Sequence, residues 1–152
     1  MSTPSKTLKE TEEALLMVIQ HLIDGQEGLQ KIAEEVREEP LKRYFLAESL
    51  KRAQFRGDLE TVLHQEGVHD IKESGSMSGT VLRTWGELKK KLGGGDHTML
   101  ETAEQGEDEA IEAYEDAMNR ELPLPVRQLL QEQLTQIQAS HEYVKTARDS
   151  RK

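Results

Sequence analysis

Several carboxylates and one imidazole stand at helical spacings where apolar side chains would be expected. Between Phe45 and Phe55 an apolar stripe is interrupted by Glu48 and Arg52, spaced three, four and three residues from their neighbours. The run Leu100, Ile111, Tyr114 and Met118 leaves the same kind of gap, holding Glu104 and Glu107. His141 lies four residues after Ile137 and seven after Leu134. The stripe from Leu22 to Leu29 passes Gly25 and Gln26, with Asp24 and Glu27 beside them. Residues three or four apart share a helix face, so each of four segments carries polar groups into the middle of its apolar stripe. A buried ion costs several kcal/mol unless paired. Four interruptions at comparable depth therefore predict one shared polar centre, built from Glu48, Arg52, Glu104, Glu107, Tyr114 and His141.

Two chemistries suit that set. Hard carboxylates with an imidazole bind iron or manganese, the ligands then being Glu48, Glu104, Glu107, His141 and Glu27 (or Asp24). Against this stands Arg52, whose guanidinium stays charged and cannot ligate a metal. It predicts a buried ion-pair network instead, with Arg52 on Glu48 and on Glu104 or Glu107. His141 would then hydrogen-bond a carboxylate or Tyr114. No residue reads as a catalytic group: Ser140 beside His141 lacks an acid to orient it and an oxyanion motif. Gly93-Gly94-Gly95 lacks the Lys-Ser/Thr of a phosphate loop.

The elements that position these residues are helices. In 152 residues, 29 acidic side chains face 20 basic ones, cysteine is absent, and leucine outnumbers isoleucine, valine and phenylalanine together. A thin leucine core in a highly charged chain suits amphipathic helices better than a sheet. The first helix is expected over about 7–38, through Leu8, Leu15, Val18, Leu22, Leu29, Ile32 and Val36, with Thr7 and Glu10 as a capping box. Pro40 ends it and opens a second over about 40–66, along Leu41, Phe45, Phe55, Leu59 and Val62, stopped by Gly67. A third runs about 96–121, and the Leu122-Pro123-Leu124-Pro125 break leads to a fourth at about 126–148.

Residues 1–6 are expected as a flexible tail of a single domain. Residues 67–96 form a long connection with its own short helix, about 79–92, carrying Leu82, Trp85, Leu88 and Leu92. Such a connection can run the length of a bundle and set the second and third helices parallel. An up-down-up-down bundle would not need it. The expected fold is all-α: a four-helix bundle with one long crossover containing a short fifth helix.

This pattern is similar to the ferritin-like superfamily, and resembles a bacterial ferritin-like four-helix-bundle family of unknown function. The resemblance rests on Asp24-Gly25 with Gly28, Arg52 with Phe55, Trp85, Glu104-x-Gly106-Glu107-Asp108 with Tyr114, and His141. It covers about residues 8–148. Dinuclear iron or manganese centres of such bundles take a Glu from each of two helices and a Glu-x-x-His from each of the others. Here Lys51 stands three residues after Glu48 where His is wanted, and Gln138 stands three before His141 where Glu is wanted. The resemblance thus implies either a degenerate site in a stress-related, structural or interaction module, or a carboxylate-bridged di-iron or di-manganese protein with oxidase or iron-handling activity.

Net charge −9 opposes nucleic acid and anionic membrane surfaces as partners. Lack of cysteine excludes disulfides, thiolate metal sites and thiol nucleophiles. The polar first residues and the lack of a long apolar run predict a cytoplasmic protein. Gly25, Gly28 and Gly106 inside helices predict close approach of a neighbour, with Trp85 as the prime suspect. A homodimer contact through Trp85 and the Gly-rich face is a further expectation; no protein partner is legible. His21 lies beside the first stripe, whereas His64, His69 and His97 fall near helix ends or in loops. Lys89, Lys90 and Lys91 fit the negative end of the short helix.

Overall fold

The computed structural model describes residues 4–67 and 83–151, with side chains from residue 11 onward. Among the described residues there are six helices and no strand: α1 (Pro4–Glu35), α2 (Glu39–Gln65), α3 (Arg83–Gly86), α4 (Leu88–Lys91), α5 (Asp96–Met118) and α6 (Leu124–Asp149). Helix α1 starts before Thr7, so Thr7 is not its cap, and Pro4–Lys6 are helical. Proline suits a first turn because its missing N–H would have no partner there. Pro40 opens α2 in the same way. Gly67, at φ +93°, supplies the left-handed residue just past the end of α2. The expected crossover helix at 79–92 is seen only from residue 83, as two four-residue helices separated at Glu87; residues 68–82 lie outside the described ones.

Helix α1 packs on α2 and α5, and α6 packs on the same two. Contacts at the ends set the directions. Asp96, at the start of α5, accepts hydrogen bonds from the backbone N–H groups of Arg37 (2.7 Å) and Glu38 (3.1 Å), just past α1. At the other end of α1, Thr11 donates to the carbonyl of Glu121, beyond α5. Arg151, after α6, bonds Glu38 at the start of α2 at 2.6 and 2.9 Å. Every neighbouring pair among the four long helices is therefore antiparallel. Helices α2 and α5, joined by the crossover, run parallel and face each other across the bundle diagonal.

The apolar core is split. One cluster joins Leu15, Ile19 and Leu22 with Leu59, Leu63, Ala117, Leu130 and Ile137. The other joins Leu29, Ile32, Phe45, Leu100, Ala103 and Val144 with Trp85 and Leu88 of the crossover. Between them, at half height, lie the buried polar residues Glu48, Ser49, Arg52, Glu107 and Ser140. Ser49 holds α2 to α1 there, donating to the carbonyl of Gln26 at 2.8 Å.

Candidate functional site

The polar layer centres on Arg52. From α2 its guanidinium reaches across the diagonal to Glu107 of α5, with Nη2 3.1 Å from Oε2. Neither helix packs closely on the other, so only two long side chains can meet there. Glu48, one turn before Arg52, completes an ion pair at 3.7 Å, and Lys51 reaches Glu48 from the surface at 3.3 Å. Helix α6 closes the layer with Ser140, whose hydroxyl donates a short hydrogen bond to Oε2 of Glu107. Tyr44 of α2 donates to Ser140 Oγ at 2.8 Å, and its ring stacks on Tyr143, 3.8 Å between centroids. A chain of donors thus runs from half-buried Tyr44 through Ser140 to a fully buried carboxylate.

Burial governs the protonation of this layer. It pushes the Glu107 carboxyl up to about 7, above the ordinary carboxylate range, while Arg52 and the Ser140 hydrogen bond pull the other way. The nearby Glu48 charge adds to the rise. Desolvation likewise raises the Tyr44 and Tyr114 phenols, which stay neutral donors. Satisfaction is incomplete: Arg52 Nε and Glu107 Oε1 are buried without a hydrogen bond. Each such buried group left unsatisfied carries a desolvation cost that offsets part of what the ion pair contributes.

Of the six residues expected at the centre, Glu48, Arg52 and Glu107 come together. Glu104 does not join them. Its carboxylate pairs with Arg148 of α6, and its side chain keeps 13% exposure. His141 is also at the rim, at 17%, with Nε2 2.7 Å from Asp108 and 3.6 Å from Glu104. Ser140 takes the inward position expected of His141, since the α6 seam runs Val126, Leu130, Gln133, Ile137, Ser140, Val144 and Ala147. Tyr114 is buried near Arg52, but its hydroxyl donates to Gln133 Oε1 at 2.7 Å, and Gln133 Nε2 donates to the carbonyl of Phe55 at 2.9 Å. Glu27 is exposed on the outer side of α1, and Asp24 is buried there with Gln20 Nε2 at 3.1 Å.

These positions do not fit a dinuclear metal centre. A guanidinium bonds the central carboxylate and lies beside Glu48, Glu104 belongs to another ion pair, and Glu27 is elsewhere. No group of three His, Asp or Glu side chains able to hold a metal occurs among the described residues. Ser140, Gln133 and Tyr44 were missed as members of the layer. For the first two the signal was available, because they sit seven residues apart on the α6 seam.

A second polar cluster ties the crossover down. Thr84 donates to Glu109 of α5 at 2.5 Å. His21 of α1 is held neutral, with its pKa lowered to about 4 by burial although Glu109 nearby raises it. Beside them the Trp85 indole fills the seam between α1 and α5. A Cβ on Gly28 would stand 2.1 Å from Trp85 Cε3, and one on Gly106 2.2 Å from Cζ2. The two glycines are the slot for this ring. Trp85 and Gly28 are thus packed on each other within the chain.

The chain belongs to a family described as a domain of unknown function (DUF2383), whose profile matches residues 10–120. The match takes in Gly28, Glu48, Arg52, Trp85, Gly106 and Glu107, and ends before α6. No curated protein matches the chain. Among the described residues no helix is long and apolar enough to cross a membrane.

Proposed function

We propose that the chain is a ferritin-like four-helix bundle whose central site holds a buried ion-pair network in place of a metal. On this reading it serves as a structural, interaction or stress-related module without redox catalysis. The observation that carries the proposal is the Arg52 guanidinium lying 3.1 Å from Glu107 and 3.7 Å from Glu48 between two apolar layers. Three further features support it: two pairs of antiparallel helices, a long crossover, and parallel α2 and α5. A cation of fixed charge supplies the balance that a metal would give two carboxylates, and its planar donors set the register of the two helices.

Metal content and Fe(II) oxidation of protein made in iron-rich medium test the proposal. The expected result is no stoichiometric iron and no oxidation above that of buffer. Stoichiometric iron or manganese that is lost in Glu107→Ala and Glu104→Ala would overturn it in favour of the carboxylate-bridged oxidase or iron-handling alternative.

A further inference from the structure

On the outer side of α1, away from Arg52, a groove of about 430 Å³ runs between α1 and the crossover. That size lies within the roughly 300–1,000 Å³ usual for small-ligand pockets. Its apolar floor is Trp85, seated on Gly28, together with Leu88 and Leu92. Its charged residues are sorted by sign. Asp24 and Glu27 lie one turn apart on α1, and Lys31 lies one turn further on. From Arg83 onward the crossover runs alongside in the same sense, with Trp85 at Gly28 and Asp96 at Arg37. Lys89, four residues past Trp85, therefore falls at the Lys31 end. The groove has an acidic end, an apolar middle and a basic end.

At about 1.5 Å rise per residue, Asp24 and Lys31 are about 10 Å apart along the helix. An extended chain covers about 3.3–3.6 Å per residue, so three residues span that distance. A free amino acid carries both charges on one carbon and is too short. In a longer extended peptide the two terminal charges stand further apart than the two ends of the groove.

We propose that this groove binds a short apolar peptide of about three residues as its zwitterion. Its ammonium lies at Asp24 and Glu27, its carboxylate at Lys31 and Lys89, and an apolar side chain lies on Trp85, Leu88 and Leu92. Gln20 holds the buried Asp24 carboxylate in place at 3.1 Å, whereas Lys31 also lies 3.6 Å from the exposed Glu34. Lys89 is therefore the more telling basic residue. The proposal does not depend on what occupies the centre of the bundle.

Trp85 is the only tryptophan, so its emission reports on the groove. The test is titration of the full chain with trileucine, its N-acetyl and C-amide forms, and leucine, followed by fluorescence and, in parallel, by calorimetry. The expected result is saturable binding of free trileucine, weakened roughly fivefold by either blocked terminus and by Lys89→Glu, with leucine weaker still. Lys89 is exposed, and far-UV circular dichroism checks that the variant stays folded. No saturable signal by either method, or equal affinity for the blocked peptides, overturns the proposal.

Discussion

Two neighbouring residues of α5 show two ways of joining helices. Glu107 turns inward to Arg52 and Ser140, whereas Gly106 receives the edge of the Trp85 indole beneath the crossover. The first joint is electrostatic, crosses the bundle diagonal and depends on protonation. The second is steric, apolar and indifferent to pH. A charged joint works only while both partners are present, yet apolar groups of similar volume can replace it as a set. A steric joint tolerates change on the tryptophan side more readily than on the glycine side, where a Cβ has nowhere to go.

The largest expected effect breaks the electrostatic joint. Arg52→Ala leaves Glu107 buried without its cation and should cost about 3–5 kcal/mol in urea unfolding. Replacing Arg52 by Met together with Glu107 by Leu should cost far less. An additive loss in that double variant would refute the view that the pair supplies geometry more than stability. Next comes the steric joint. Gly106→Ala should cost about 1–3 kcal/mol, because the ring must move, and adding Trp85→Ala should remove part of that penalty. Equal costs with and without Trp85 would show that the indole is not what the glycine accommodates.

The pH dependence sharpens the contrast further. Burial raises the Glu107 carboxyl from 4.5 to about 7. Between those values the folded chain keeps a proton that the unfolded chain has released, so stability falls as pH rises, by at most about 1.4 kcal/mol per pH unit. It levels off above the folded value. Glu107→Gln should flatten this slope, while Trp85→Phe should leave it unchanged. The smallest effect is a control. Gly57 has nothing within 4 Å of where its Cβ would stand, so Gly57→Ala should stabilise by about 0.5–1 kcal/mol through helix propensity alone. A loss there would point to a contact beyond those within this chain.

Helix phase decided which site residues were legible. On α2 the large residues Leu41, Phe45, Phe55 and Leu59 are all buried, so Glu48 and Arg52 were placed on the true inner face. On α5 the large residues Ile111 and Met118 are only half-buried, and the seam is mostly small: Ala103, Gly106, Ala110, Ala113 and Ala117. Alanine carries little hydrophobic signal, so a phase drawn through the large side chains spread the polar gap over Glu104 and Glu107 alike. Only Glu107 faces the centre. The same shift of about 100° per residue exchanged Ser140 for His141 on α6. Gly28 and Gly106 were read correctly as sites of close approach, because a helix keeps interior glycines only at a cost.

By itself the sequence determined the four long helices, the proline and glycine punctuation between them, and the presence of charge halfway along their apolar faces. These are local properties, set by side-chain periodicity and by what each backbone position can adopt. Tertiary structure decided which charges meet. Arg52 and Glu107 are 55 residues apart and are joined across a diagonal that no local spacing encodes. It also decided that Trp85 closes the slot between Gly28 and Gly106, because three separate segments must converge before that slot exists.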